Sequence, residues 1–587
     1  MSMIEVLKFG SSVLRTPDEL PVAVDEIYRH WRSGCRVLAV VSAFEGVTDG
    51  LIKEAAGLFG SGCPAAVAAH VAKGEQRTAA QLVESLSHSG IPARMVEPYE
   101  IGLLAQGSSL DSSPASVDVA ALERFWHDSP ILVLPGFYGV DATGRTALFG
   151  RGGSDMSALF LAAELGVRCR LLKDVSGVFD EDPASSTAAH RFTALSWATA
   201  IDVAGPLIQS KALRLAQTRA LPFEVGRPNE HSCTRVGHAQ DEWVAPTSGA
   251  RPLRVVLLGC GVVGRGVYEL LKGYPQTFEI SHVVVRDVAN HTDINEATTD
   301  LNIVVNDSVD IVVECLGGEQ LPYRLIAAAL AGGKCVVTAN KAVVAAHWAE
   351  LSRYAQGSKR RLWYSAAVGG VLPVLETFEM LATQQSPVRG IRASINGTCG
   401  VVLDARAAGK TLHEAVALAR SGGFSEADPA RDLSGRDSAD KLALMINAAF
   451  GIWLAPETIP TRGIDDIAEN AKGYKLVARA RREGRCVTAS VAPELQRPQT
   501  FLDQARGPEN RIEIELESGE MIKLCGQGAG RWPTAVSVMG DLHEVARRHI
   551  APAPERPYCP SARAAASRNA EPLQASDLSH SIVIISA

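Results

Sequence analysis

The sequence predicts an α/β protein of three or more domains, and three observations carry that prediction. Apolar runs of strand character alternate with helical patterns through most of the chain, among them Val37–Ser42, Ile131–Leu134, Arg254–Leu258, Ile311–Glu314 and Cys335–Thr338. The length, 587 residues, is several times the roughly 100–200 residues of one domain. The composition, 46% apolar and 21% charged, is globular and excludes disordered, collagen-like and disulfide-stapled classes.

The charge balance narrows the partners. With 58 basic and 65 acidic residues the net charge is −7, so neither nucleic acid nor an anionic membrane is an expected partner, and small-molecule substrates are. No apolar run reaches the roughly 18 residues that span a bilayer. The stretch from Met1 to Gly10 lacks the apolar segment of a signal peptide, so a cytoplasmic location is expected. The eleven cysteines are scattered without a C-x-x-C pair and read as small buried hydrophobes in a reducing compartment.

Taken in chain order, the first strand ends in K-F-G-S-S-V (Lys8 to Val13). G-E-Q-R-T-A-A (Gly74 to Ala80), F-G-R-G-G-S-D-M-S-A (Phe149 to Ala158) and L-L-K-D-V-S-G-V-F-D-E-D-P (Leu171 to Pro183) follow. Phosphoryl transfer is mostly positioning and charge neutralisation. Lys8 suits a transferring phosphate, and the Gly152–Gly153 amides at a helix start suit its oxygens. Arg151 can fork onto a carboxylate, Glu75 suits a substrate ammonium, and Asp155 would hold Mg²⁺ or organise the lysine.

The pair R-G-G-S-D-x-S-A and D-V-x-G-V-x-x-x-D-P resembles the amino-acid kinase family, and aspartate kinases within it, over about residues 3–228. The resemblance implies an α/β sandwich that phosphorylates aspartate from ATP. It places Glu75, Arg151 and Ser154 on aspartate, and Lys8, Gly10 and Asp174 on ATP. Four departures fall mainly on the nucleotide side: K-F-G-S-S is one residue short, Lys173 stands for Thr or Ser, Ala184 for Arg, and Pro206 for a lysine. Lys173 restores part of the missing charge. Two readings stay open, a working kinase domain or a non-catalytic ligand-binding or assembly module. The regulatory ACT domains usual in such kinases find no room. The stretch 229–252, with Asn229, Pro246, Gly249 and Pro252, reads as a linker.

The second half opens with R-V-V-L-L-G-C-G-V-V-G-R-G (Arg254 to Gly266), a buried strand running into G-x-G-x-x-G at Gly259, Gly261 and Gly264 and then a helix. Glycine lets the turn close on a pyrophosphate, with Val262 and Val263 opening the helix whose N–H groups face it: a Rossmann dinucleotide site. Arg286 follows Gly264 by about 22 residues, at the end of the next strand, where arginine accepts the 2′-phosphate of NADP. NADP(H) is therefore expected over NAD(H). V-D-I-V-V-E-C-L-G-G (Val309 to Gly318) and V-V-T-A-N-K-A (Val336 to Ala342) are further strands whose ends place Leu316 and Lys341 beside the cofactor. Glu426, Asp428, Asp432 and Asp437 crowd one loop and the helix after it, and Asp437 and Lys441, at i and i+4, share a helix face. A lysine paired to a carboxylate supplies charge and proton to a carbonyl under reduction.

The A-N-K and I-N-G-T segments, the E-A-D-P…D-x-x-G-x-D-x-x-x-K block and G-Q-G-A-G-R-W-P-T-A (Gly526 to Ala535) closely resemble homoserine dehydrogenases over about residues 254–545. That family reduces aspartate 4-semialdehyde to homoserine with NAD(P)H. The resemblance implies Lys441 as proton donor beside Asp437, Glu426 and Asp432 near the substrate ammonium, and Lys341 near substrate and cofactor. Gly397, Thr398, Gly528 and Gly530 would close the site. The carbonyls of Val368, Gly370 and Leu372 would serve a Na⁺ or K⁺ site, weak or lost because Ser365 stands where the family has an acidic residue. A homodimer or higher homo-oligomer, paired through the substrate domain's sheet, is expected. The Rossmann domain is expected at 253–341 and 526–550, the inserted α/β substrate domain at 342–525, and a tail at 551–587 whose apolar end, Ser581–Ser586, could dock as a strand.

Overall fold

The first apolar run, Ile4–Phe9 (β1), has five of its six residues buried, as a strand covered on both faces must. A computed structural model describes residues 3–586 except 60–62, 184, 187–188, 206, 231, 245–250, 359, 425–427, 466, 468–470 and 551–584. The chain divides into two units, Met1–Ala250 and Arg251–Ala587.

In the first unit, β1 lies at the heart of a nine-stranded sheet. Arg36–Val41, Ile131–Pro135 and Ala93–Met95 extend it in parallel on one side. The helix α1 (Gly153–Leu165) is buried from Gly153 to Ala162 and packs on β1 and on the helix Ser210–Thr218. It feeds the strand Arg168–Leu172 (β2), which pairs parallel with β1 on its other side. Lys8 and Lys173 therefore stand side by side at the carboxyl ends of two adjacent strands. The expected linker is a correction: Cys233–Val236 and Glu242–Val244 are strands of this sheet, and the first unit runs to Ala250 rather than 228. The polar residues there obscured a short alternation in which Thr234 and Val236 are buried.

The second unit begins with Leu253–Leu258 (β3), then α2 (Val262–Leu271), Phe278–Val284 (β4), Ile311–Glu314 (β5) and Cys335–Thr338 (β6). Its parallel six-stranded sheet runs 3-2-1-4-5-6 counted from β3, the Rossmann order, with the switch point between β3 and β5. Alternate residues face opposite sides. Val255 and Leu257 meet Val267 and Leu271 of α2, with Val538 and Leu542 of the long late helix Arg531–Ile550. Val256 and Leu258 meet Ile326, Leu330, Val343 and Leu351 on the other side. The chain thus returns to this core near its end. Leu362–Trp363 is the sixth strand, so the domain reaches beyond the expected boundary at 341.

Lys341–Gly357 (α3) leads towards the second sheet, whose strand Val388–Ser394 (β7) is followed by Gly397–Ala407 (α4) and Arg436–Phe450 (α5). That sheet is antiparallel, in the order Met521–Gln527, Glu509–Leu516, β7, Tyr474–Glu483, Cys486–Leu495 and Ile585–Ser586. The last pair docks at the expected chain end; the rest of the 551–584 stretch lies outside the described residues. Strict alternation along Glu509–Leu516 buries Ile512, Ile514 and Leu516 and leaves Arg511, Glu513 and Glu515 on the other face.

Candidate active site

The dinucleotide turn is built as glycine requires. A Cβ on Gly264 would sit 2.0 Å from the Gly259 carbonyl oxygen, so the turn closes only without a side chain there. Gly259 itself has φ +90°. A Cβ on Gly261, the N-cap of α2, would meet nothing within 4 Å, so this glycine opens onto free space at the helix N-terminus where a pyrophosphate fits. Val262 and Val263 form the first turn of α2. Arg286 is exposed just beyond β4, while Asp287 turns away to cap Ala289 N–H at 2.9 Å and to accept from Asn290.

The chemistry-bearing side chains converge beyond the strand ends. Asn340 caps α3, accepting from Val343 N–H, and starts the helix at Lys341. The Lys341 ammonium lies 3.0 Å from Asp437 Oδ1. Lys441, one turn along α5, lies 3.0 Å from Asp437 Oδ2, as the i, i+4 spacing predicts, and donates to the Ile395 carbonyl at 2.7 Å. Asp437 and Lys441 are buried, whereas the Lys341 side chain is 40% exposed. Burial alone would raise the Asp437 pKa, but the ammonium groups of Lys341 and Lys441 outweigh it and hold the carboxyl well below the usual range.

Asn396 was not assigned a role from sequence. It caps α4 through Cys399 N–H at 2.8 Å, and its amide donates to Asp432 Oδ1 (2.8 Å) and Asp437 Oδ2 (3.0 Å). An asparagine before glycine at a strand-to-helix join is a cap signal and would have found it. The Thr398 hydroxyl lies 2.6 Å from the Phe424 carbonyl and 2.8 Å from Asp432 Oδ2. Asp428 stands apart, exposed and accepting from Ala430 N–H. Glu426 lies outside the described residues. Gly397 opens α4 against Pro508, and Gly528 packs both on Asn510 and on Gly370, bringing the Gly526–Gly530 loop to the Gly369–Gly370 turn. At the expected cation site the Ser365 hydroxyl donates to Glu376 Oε1 at 2.6 Å, and the Leu372 carbonyl already accepts from Val374 N–H at 2.8 Å. Ser365, Val368, Gly370 and Leu372 supply no charged oxygen of their own, and the carboxylate beside Ser365 is that of Glu376.

The first unit gathers a second constellation. Asp155, in the first turn of α1, takes Lys8 on Oδ1 at 2.7 Å and Lys173 on Oδ2 at 3.0 Å, all three buried. Asp155 therefore stands between two lysines. Burial would raise Asp155, but Lys173 and Lys8 hold it down at about 2. Burial lowers Lys8 to about 8, against the pull of Asp155. Glu75 Oε1 accepts from Ala43 N–H at 3.2 Å, while its Oε2 is buried without a hydrogen-bond partner among the described residues, and burial pushes the carboxyl up to about 7. Ser154 is buried in α1; Arg151 and Asp174 are exposed at the rim. Gly10 lies against the Lys8 ammonium, where a Cβ would come within 2.9 Å. Ala184 and Pro206, two of the noted departures, lie outside the described residues.

A Rossmann sheet whose dinucleotide turn neighbours a lysine–aspartate–lysine cluster defines an NAD(P)-dependent oxidoreductase. The comparisons with known proteins carry that further. The family model described as homoserine dehydrogenase matches residues 373–543, its NAD-binding domain 259–365, and the amino acid kinase family 3–221. The chain is 33% identical over 323 residues to the homoserine dehydrogenase of Corynebacterium glutamicum, covering 50% of this chain and 72% of that one. It is 31% identical over 318 residues to that of Bacillus subtilis, covering 50% and 72%. A solved homoserine dehydrogenase from Thiobacillus denitrificans is 30% identical, with a TM-score of 0.49, covering 52% of this chain and 75% of that one. The chain belongs to the homoserine dehydrogenase family and has homoserine dehydrogenase activity, joined to an amino acid kinase family domain in its first half. No helix among the described residues is long and apolar enough to cross a membrane.

Proposed function

We propose that the second half reduces L-aspartate 4-semialdehyde to L-homoserine with NADPH, and that Lys441 delivers the proton. The observation that carries this is Asp437 held between two lysines that come from different domains of the half. Bound at the Gly259–Gly264 turn, the nicotinamide cofactor supplies the hydride. An ammonium has three N–H donors, and Lys441 spends two on Asp437 and Ile395, leaving one for the carbonyl oxygen of the substrate. As hydride reaches the aldehyde carbon, that proton passes to the oxygen and an alcohol results. Asp437 stays ionised and holds the Lys441 side chain in place. Lys341 adds a second positive charge from the cofactor side. Asp432, oriented by Asn396 and Thr398, and Glu426 are assigned to the substrate ammonium. Arg286, exposed past β4, is assigned to the 2′-phosphate. No step is routed through a monovalent cation. The test is Lys441→Ala, for which kcat falls by about 10²–10⁴, the range for losing a general acid. A kcat within twofold of the parent rejects the role.

The half pairs with a second copy through its antiparallel sheet. The sheet's open face carries Arg392–Glu513, Arg481–Glu515 and Arg479–Glu494 pairs at 2.7–3.0 Å, a polar surface whose alternating charges can meet their own kind.

For the first half we propose binding and phosphorylation of aspartate from ATP with Mg²⁺. A buried, incompletely neutralised pair of lysines wants an anion, and the orphaned oxygen of Glu75 wants a cation, so a zwitterion suits the site. Lys173 stands where it restores a second ammonium beside Lys8. A non-catalytic module would bind the same ligand without turning it over.

A further inference from the structure

Glu314, Thr338 and Asn340 form a hydrogen-bonded chain that neither the proton transfer nor the dinucleotide turn accounts for. Glu314 and Thr338 are directly paired across β5 and β6, and both are 0% exposed. The Thr338 hydroxyl donates to Glu314 Oε2 at 2.5 Å, and Glu314 Oε1 accepts from Leu316 N–H at 2.7 Å. Thr338 Oγ1 accepts in turn from Asn340 N–H at 3.0 Å. The Asn340 amide donates to the Gly318 carbonyl at 2.9 Å while its oxygen caps α3. One carboxyl therefore anchors both ends of the Leu316–Gly318 loop, directly at Leu316 and through Thr338 and Asn340 at Gly318. The loop in turn lies on the cofactor turn: a Cβ on Gly259 would meet Leu316 Cδ2 at 3.0 Å. Asn340 is also the residue that starts the helix at Lys341. An acid among buried apolar strands is costly, and burial pushes Glu314 up to about 7. A network so expensive and so fully satisfied is one that fixes geometry.

We propose that Glu314 is a positioning residue that ties the cofactor-facing loop to the helix start carrying Lys341, so that dinucleotide and lysine are held in one register. Fully buried, it touches no ligand itself. The inference rests on the roles given above to Lys341 and the glycine turn.

The test uses the full chain with Glu314→Ala, Glu314→Gln and Thr338→Val, measuring kcat, KM for NADP⁺ and for homoserine, and Tm. Displacement of reacting groups by about 1 Å costs up to ~100-fold, so Glu314→Ala is expected to raise KM for NADP⁺ and lower kcat by about tenfold each. Glu314→Gln keeps an acceptor for Leu316 and a partner for Thr338, and recovers most of both losses. Thr338→Val leaves the Leu316 bond in place, so it lowers kcat more than it raises the cofactor KM. A purely structural carboxyl would lower Tm in Glu314→Ala while leaving KM and kcat per folded site within twofold, which overturns the proposal. Equal losses in the Gln and Ala variants overturn it as well, since charge and not hydrogen bonding would then be what matters. Full activity in Lys441→Ala would instead undo the catalytic reading, independently of these outcomes.

Discussion

Two lysines on one buried aspartate occur in each half of the chain, Lys341 and Lys441 on Asp437, Lys8 and Lys173 on Asp155. In both, the carboxylate is held ionised by its neighbours against burial, so it orients ammonium groups and does not itself exchange protons near neutrality. Glu75 is the opposite case. It has no cation on Oε2, and burial raises its pKa from 4.5 to about 7. A carboxyl raised in the folded state binds more protons folded than unfolded, so its effect on stability worsens as pH rises from about 4.5 to about 7 and is constant beyond. Glu75→Gln is therefore expected to raise the melting temperature of the first unit at pH 8, with little change at pH 5. A gap that shrinks with rising pH would show that Glu75 is already paired.

At the scale of elements, the cofactor turn was legible because its constraints are local. Strand, three glycines and helix are adjacent in sequence, and the tightest approach, Gly264 on the Gly259 carbonyl, spans only five residues. The Asp437–Lys441 pair was legible for the same reason, a fixed helical spacing. Lys341 meeting Asp437, 96 positions later, was not legible from spacing, because only the packing of the chain brings them together; the family resemblance placed Lys341 near substrate and cofactor without pairing it to Asp437. Asn396, Asn340 and Glu314 were missed as site-builders because their partners lie across strands or in distant loops. The strands within 229–252 were missed because strands of four and three residues carry too little alternation to outweigh Pro, Gly and Asn nearby. Arg286 belongs to this scale, since its role depends on standing just past β4. Arg286→Asp is expected to move the NADPH-to-NADH ratio of kcat/KM towards NADH by about 10- to 100-fold, the about 1.5–3 kcal/mol of a hydrogen bond to a charged group. An unchanged ratio would remove Arg286 from the 2′-phosphate.

At the scale of the molecule, the two units have separate cores, so the chemistry proposed for the first can be tested apart from that of the second. Incubating the chain with ATP, Mg²⁺ and aspartate, and trapping aspartyl phosphate, is expected to give turnover that Arg151→Ala abolishes while the homoserine dehydrogenase rate stays put. Binding of aspartate without any turnover at saturating ATP would make the first half a ligand-binding module. Within the second unit, the shared carboxylate has one more consequence. Lys341 starts a helix just past the carboxyl end of β6, and Asp437 sits on a helix against the other sheet, so the contact proposed to ready the proton also links the two sheets. Any agent that parts the two sheets by a few ångströms, whether heat, denaturant or a wedge-shaped inhibitor, also parts Lys341 from Asp437. Turnover is then expected to serve as an alarm for that separation.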